Sequence, residues 1–229
     1  KNHLHEGLNA YKMIATLHEA TSEVWQKIGY CEHQLGNIEK ALKAYLKSEL
    51  IESNNTWTLR RIAQCYRILK EPDNALLYYR RLESLHPDNL NVKLNIGHCY
   101  FELKNYNEAL ENYFKVEWID EGNRRVWRSI AWCSFLLHKF DVSQRYYQKI
   151  LENSPNAHDF LNAGHVELAL NNIKQAMIHY AQSIKELKNT EAFKGLFRND
   201  MEELKMAKID MKLIPALLDK VEYDLEKGY

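Results

Sequence analysis

The stretch GYCEH, Gly29 to His33, holds the first of four cysteines. The others stand in AQCYR, GHCYF and AWCSF as Cys65, Cys99 and Cys133, each 34 residues after the last. Four sulfurs on a fixed period fit a metal site, a disulfide ladder or a repeated structural unit, and the neighbouring columns separate these. Two residues before each cysteine stands a small side chain, Gly29, Ala63, Gly97 and Ala131, and Gly164 continues the column. Twelve residues later come Ala41, Ala75, Ala109, Ser143 and Ala176, and four later again Tyr45, Tyr79, Tyr113, Tyr147 and Tyr180, the last repeat arriving one residue early. Breakers fall at the joints, in LGN (Leu35 to Asn37), KEPD (Lys70 to Asp73), HPDN (His86 to Asn89) and SPN (Ser154 to Asn156). Each unit therefore reads as two helices of about a dozen residues joined by short turns. Two antiparallel helices approach closely where a small side chain on one faces a large one on the other, and the tyrosine fills the space towards the next unit.

This pattern resembles the tetratricopeptide repeat, a helix-turn-helix unit of 34 residues. The resemblance covers residues 22–188 as five repeats and implies an all-α fold, a right-handed superhelical solenoid of helix-turn-helix repeats with no single central core. Two positions depart from it. Lys93 stands where Trp25, Leu59, Trp127 and Phe160 stand in the other repeats, and Ser143 replaces alanine.

A repeated unit also disposes of the cysteines. Equivalent residues on stacked helices are separated by about 8–10 Å, beyond the ~7 Å limit for a disulfide, and sulfurs strung along a solenoid cannot meet at one zinc, where each bond is ~2.3 Å. They read as small apolar fillers, reduced, in an intracellular and cytoplasmic protein. Composition agrees: 31 Lys+Arg balance 31 Asp+Glu, so no global field marks a nucleic-acid or membrane-surface protein. With 8 Gly and 4 Pro the chain is almost wholly helical, and no apolar run approaches the ~20 residues of a membrane span.

The ends depart from the period. His3 to Leu17 aligns with the second helix of the next unit, Gly7 and Tyr11 beneath Ala41 and Tyr45. Residues 1–21 thus read as the second helix of a repeat whose first helix is missing, with more chain expected before Lys1 and self-association through the uncovered helix as a further expectation. Residues 189–229 read as two amphipathic capping helices. One runs from Thr190 to about Lys208, with Phe193, Leu196, Phe197, Met201 and Leu204 on a stripe. The other runs from Met211 to about Glu226, with Ile214, Leu217, Leu218, Val221 and Leu225. Thr190 and Asp210 are the expected N-caps.

The resemblance also implies a ligand face. In this family the first helices line the concave side, and offsets of minus six, minus three, plus one and plus four from the small column select one helical face. They pick Glu23, Gln26, Tyr30 and His33; Trp57, Arg60, Gln64 and Arg67; Asn91, Leu94, His98 and Phe101; Arg125, Arg128, Trp132 and Phe135; His158, Leu161, His165 and Leu168. Four arginines against one acid make a positive stripe interleaved with rings, suited to an acidic peptide segment. The expected peptide-binding residues are Trp57, Arg60, Gln64, Arg67, Asn95, His98, Phe101, Arg125, Arg128, Trp132 and Phe135. The carboxylate-clamp members of the family would need Lys, Asn, Asn, Lys and Arg where this sequence has Arg60, Gln64, Asn95, Arg125 and Ser129. Gln64 is too long for that geometry and Ser129 removes a fork, while Arg61, Arg124 and Arg128 could still supply charge nearby.

Catalysis finds no support: there is no Gly-rich phosphate loop, no His-Glu-x-x-His and no nucleophile placed beside a base. No metal or other cofactor is implied. His3 and His5 lie at the frayed start, and His98 and His165 are expected to face the groove and hydrogen-bond a ligand or water. The reading is a non-enzymatic adaptor or scaffold that binds protein. The rival is a helical-repeat protein that binds single-stranded RNA through basic and aromatic side chains. Groove residues that differ from repeat to repeat suit an irregular peptide better than a base-by-base code.

Overall fold

A computed structural model describes residues 2–17 and 20–227, so Lys1, His18, Glu19, Gly228 and Tyr229 of the expected terminal segments lie outside the described residues. Every regular element among those described is an α-helix: α1 (Asn2–Leu17), α2 (Ser22–Gln34), α3 (Ile38–Ile51), α4 (Thr56–Ile68), α5 (Pro72–Leu85), α6 (Leu90–Glu102), α7 (Tyr106–Ile119), α8 (Arg124–Leu136), α9 (Phe140–Leu151), α10 (Ala157–Ala169), α11 (Ile173–Leu187), α12 (Thr190–Asn199), α13 (Met201–Met206) and α14 (Ile214–Glu226). The chain divides into two compact units, 1–112 and 113–229, and the division falls inside α7.

Local chemistry starts and stops the helices on the same period. Each first helix begins on a side chain that accepts an orphan backbone amide: Thr21, Asn55, Asn89, Asn123 and Asn156 cap α2, α4, α6, α8 and α10. Each ends in one Schellman-type cap. In the first repeat the Asn37 amide donates to the Glu32 carbonyl and the Gly36 amide to His33. The same pair of bonds recurs at Glu71 and Lys70, Asn105 and Lys104, Lys139 and His138, and Asn172 and Asn171. The residue at the bend is left-handed each time, with φ of 84° at Gly36, 63° at Lys70, 61° at Lys104, 57° at His138 and 60° at Asn171.

In the first unit α2 packs on α1 and α3, and the contacts continue through α4, α5 and α6. Tyr45 is fully buried and its ring lies so close to Gly29 that a Cβ there would come within 3.0 Å. The tyrosine thus covers the glycine of its own repeat, while its cluster extends to Ile62 and Cys65 of the next. A second cluster joins Leu59, Ala63, Tyr79, Leu82, Ile96 and Cys99. Lys93 keeps its place by stretching its half-buried chain to Glu83, Nζ to Oε1 3.4 Å. On α1, Leu8 packs against Ile28 and Cys31, a Cβ added at Gly7 would meet nothing within 4 Å among the described residues, and Met13, Ile14 and Leu17 are exposed.

In the second unit α8 packs on α9, α9 on α10 and α10 on α11, with α12 and α14 against α11. Ser143 is tolerated in the alanine column because its buried Oγ donates to the Ala131 carbonyl at 2.8 Å. Gly164 lies beneath Tyr180 as Gly29 lies beneath Tyr45. Phe193 and Phe197 stand edge-on to the Tyr180 ring at 5.7 and 5.4 Å.

The C-terminal helices differ from expectation in their boundaries. The cap is Asn189, whose Oδ1 accepts the Ala192 amide at 2.9 Å, and Thr190 is the first helical residue. The run to Lys208 breaks at Asp200 into α12 and α13. The last helix begins at Ile214 with a proline in its first turn, while Asp210 accepts the Lys212 amide in the turn before it.

All four cysteines are buried free thiols. Burial pushes Cys65 up to about 11 and Cys99 up to about 12, as expected of inert packing groups.

Candidate functional site

The first-helix face of each unit was the expected site, and its residues fall into three groups: available, engaged and buried. Trp57, second residue of α4, is 38% exposed, its ring edge-on to Tyr45 at 5.6 Å. Arg61, one turn further along α4, lies 5.1 Å from the Trp57 centroid and donates to Gln64 Oε1 at 3.2 Å. Across from them α2 presents Gln26, Lys27 and a Tyr30 that is 41% exposed. These five side chains line a cavity of about 370 Å³, with two cations and, among the described residues, no carboxylate in its wall. Neither Lys27 nor Arg61 has a carboxylate partner among the described residues, and exposed Arg60 has none either.

Arg67 was expected to be available and is engaged. Its Nη2 donates to Glu102 Oε1 at 2.6 Å, its Nε to the same oxygen at 3.2 Å, and its Nη1 to Asn95 Oδ1 at 2.9 Å. Burial alone would lower its pKa, but the hydrogen bond and charge of Glu102 hold it above the ordinary value. The Asn95 amide in turn donates to the Asn91 carbonyl at 2.6 Å. His98 is half-buried, and desolvation, with the Arg67 charge, depresses it to about 4. It is a neutral imidazole at pH 7. Phe101 is half-buried against Tyr106, centroids 5.4 Å apart.

In the second unit Arg125 is exposed and its guanidinium has no carboxylate partner among the described residues. Arg128 is engaged by a two-pronged pair with Asp159, Nε to Oδ1 and Nη2 to Oδ2 both 2.7 Å. Asp159 also closes the α10 capping box, so the pair anchors a helix start. Trp132 is half-buried and stacks on Phe135 at 5.0 Å.

Phe135 corrects the expectation of an exposed ring. It is 1% exposed, because Phe140 at the start of α9 folds over it at 5.7 Å. His165 corrects it further: it is 0% exposed, roofed by Phe197 at 5.0 Å. Its Nδ1 lies 2.9 Å from the Tyr180 hydroxyl and its Nε2 lies 3.3 Å from Asp200 Oδ2. A neutral ring fits both if Nε2–H donates to Asp200 and Tyr180 donates to Nδ1, and desolvation lowers its pKa despite Asp200.

The offsets chosen from the sequence skipped the position two before the small column, which holds Lys27 and Arg61. The signal was available, since both occupy one place in the 34-residue period. Among the described residues no group of His, Cys, Asp or Glu side chains is arranged to hold a metal ion, and no helix is long and apolar enough to cross a membrane.

The tetratricopeptide-repeat family model matches residues 22–55 and 90–117. No curated protein matches the chain in sequence. Among solved structures, YrrB, described as a tetratricopeptide-repeat protein with an unusual peptide-binding site, is similar with a TM-score of 0.65 and 15% identity over 87% of this chain and 97% of its own. MamA from Desulfovibrio magneticus RS-1 gives 0.61 and 15% over 65% and 84%. A tetratricopeptide-repeat protein from Parabacteroides merdae gives 0.57 and 17% over 90% and 78%. At these identities the likeness is one of fold: all-α, the tetratricopeptide-repeat solenoid.

Proposed function

We propose that this chain, a tetratricopeptide-repeat protein, is a non-enzymatic adaptor or scaffold whose first-helix face, the concave side in this family, binds an acidic peptide segment of a protein partner. Repeats of this kind are protein-interaction modules; the acidic segment and its place are the finer reading. The observation that carries it is the cavity at Tyr30 and Trp57, where Lys27 and Arg61 stand uncompensated beside two partly exposed rings. Guanidinium and ammonium groups without an internal carboxylate partner keep their capacity for a ligand carboxylate, and the rings bury area at low entropic cost. Arg60 extends the positive surface on α4. Arg67 and Arg128, already held by Glu102 and Asp159, act as struts in this reading.

The test is affinity capture from native lysate with the wild-type chain and with Lys27→Glu plus Arg61→Glu, at matched thermal stability. Proteins retained by wild type and lost at least about tenfold from the variant support the site. An unchanged set sinks it. Captured nucleic acid whose retention collapses steeply between low and moderate salt would favour the RNA reading instead.

A further inference from the structure

The second unit carries a cavity that the first-helix face does not explain. It lies along α7 and α9, both second helices, and has a volume of about 850 Å³. Phe114, Trp118 and Tyr146 supply its rings. Phe114 and Trp118 are four residues apart and so share one side of α7, and Phe114 holds Tyr146 at 6.2 Å. Trp118 is 89% exposed. An indole left almost wholly in water beside a ring-lined cavity forfeits the large apolar burial that makes tryptophan an anchor.

Internal pairing sorts the charges around it. Glu117 is satisfied, accepting the Tyr146 hydroxyl and facing Lys149 Nζ at 3.5 Å. Lys149 is further held over the Tyr146 ring, 4.7 Å from its centroid. Arg145 lies 5.6 Å from the same centroid and has no carboxylate partner among the described residues. An uncompensated guanidinium, lying over the Tyr146 ring, therefore remains in the wall of the same cavity as Phe114 and Trp118. Glu121, exposed on the turn after α7, stands at the rim.

We propose that this cavity is a second peptide-binding site, taking a short linear segment whose aromatic or long aliphatic side chain packs on Trp118 while a neighbouring carboxylate pairs with Arg145. The planar fork of arginine matches a carboxylate, and the cation–π contact with Tyr146 holds the guanidinium ready for it. The volume suits a few side chains of a linear segment. Glu117 and Glu121 on the same wall repel a run of phosphates, which favours a segment of mixed charge over single-stranded nucleic acid. No residue is shared with the cavity at Tyr30 and Trp57, so the two sites can fail separately.

The test selects short random peptides, displayed on phage, against the whole chain. Fluorescein-labelled copies of the enriched peptides are then measured by polarisation on wild type, Trp118→Ala, Arg145→Glu, and Lys27→Glu plus Arg61→Glu. Trp118 and Arg145 are exposed, so their substitutions leave the core intact, and equal thermal midpoints confirm it. The expected result is a class of peptides with an aromatic residue or leucine beside Asp or Glu, whose affinity falls about tenfold or more on Trp118→Ala and on Arg145→Glu. That class is unaffected by the α2 and α4 substitutions. Enriched peptides that ignore both Trp118 and Arg145 overturn the proposal, as does no enrichment at all. Labelled oligothymidylate that binds wild type and is lost on these two substitutions overturns it in favour of nucleic acid. Peptides that respond only to Lys27 and Arg61 overturn it while leaving the first-helix reading standing.

Discussion

Tyr30 and His165 occupy one place in the period, each directly after a glycine pressed against a tyrosine ring, Tyr45 in the first unit and Tyr180 in the second. Their fates are opposite. Tyr30 reaches solvent at the mouth of a cavity, whereas His165 is sealed under Phe197 and bonded at both nitrogens. The tyrosines differ in the same way: the Tyr45 hydroxyl is buried without a hydrogen-bond partner among the described residues, while that of Tyr180 is tied to His165. The repeat fixes where a side chain points, and the next element along the chain decides whether it meets water, a ligand or a lid.

The largest expected effect is at the glycines. Alanine raises helix propensity by about 1 kcal/mol, but at Gly164 its Cβ would strike the Tyr180 ring, which is buried and tied to His165 by its hydroxyl, so overpacking wins and Gly164→Ala is expected to destabilise by about 1–3 kcal/mol. Gly29→Ala should cost less, because the Tyr45 hydroxyl has no bond to strain as the ring shifts. Urea denaturation of both variants would break the comparison if either proved more stable than wild type.

Removing the hydroxyls sharpens the contrast at smaller scale. Tyr180→Phe leaves His165 Nδ1 without its donor in a dry site and should destabilise by about 1–2 kcal/mol. Tyr45→Phe removes only an unsatisfied group and is expected to be neutral or slightly stabilising. Equal thermal midpoints for the two variants would mean that the His165 bond contributes nothing.

The smallest and most diffuse effect is that of pH. His98 is depressed to about 4, and burial also lowers His165, His33 and His179. An unfolded histidine takes up a proton near pH 6.5. Below that value the unfolded chain therefore binds more protons than the folded one, and stability falls with pH. The contribution is fully present above about 6.5 and is lost progressively towards 4. The thermal midpoint should decline between pH 7 and pH 5, and His98→Gln should flatten that decline. A midpoint that rises on acidification would reverse the sign.

Much of the fold was legible because the packing columns are written in residue identity: a small residue, a second small residue and a tyrosine at fixed spacing can be found by eye. The turns were legible only in part. Gly36 announces its left-handed bend, but Lys104 and His138 adopt the same conformation although neither is a glycine or an asparagine. The cap there is imposed by the helices it joins. The break at Asp200 was hidden for a related reason, since the stripe of Phe193, Phe197 and Leu204 continues across it.

The candidate site was less legible. Charge and exposure depend on partners about one repeat away: Glu102 engages Arg67 and Asp159 engages Arg128. Sequence spacing counts an arginine as available until its partner is seen. Trp118 illustrates the complementary difficulty, because an isolated aromatic near a helix end reads as core until its exposure is known.

The recurring cap has a kinetic consequence. Each first helix is stopped and turned by bonds that span five residues, and most of the contacts it then makes are with elements immediately before and after it in the chain. Little loop entropy is lost before such contacts form, so a helix pair can assemble early and recruit its neighbour. Chains built from short-range contacts fold quickly and open piecemeal. Amide exchange in this protein should follow a gradient along the sequence, with the inner repeats opening last.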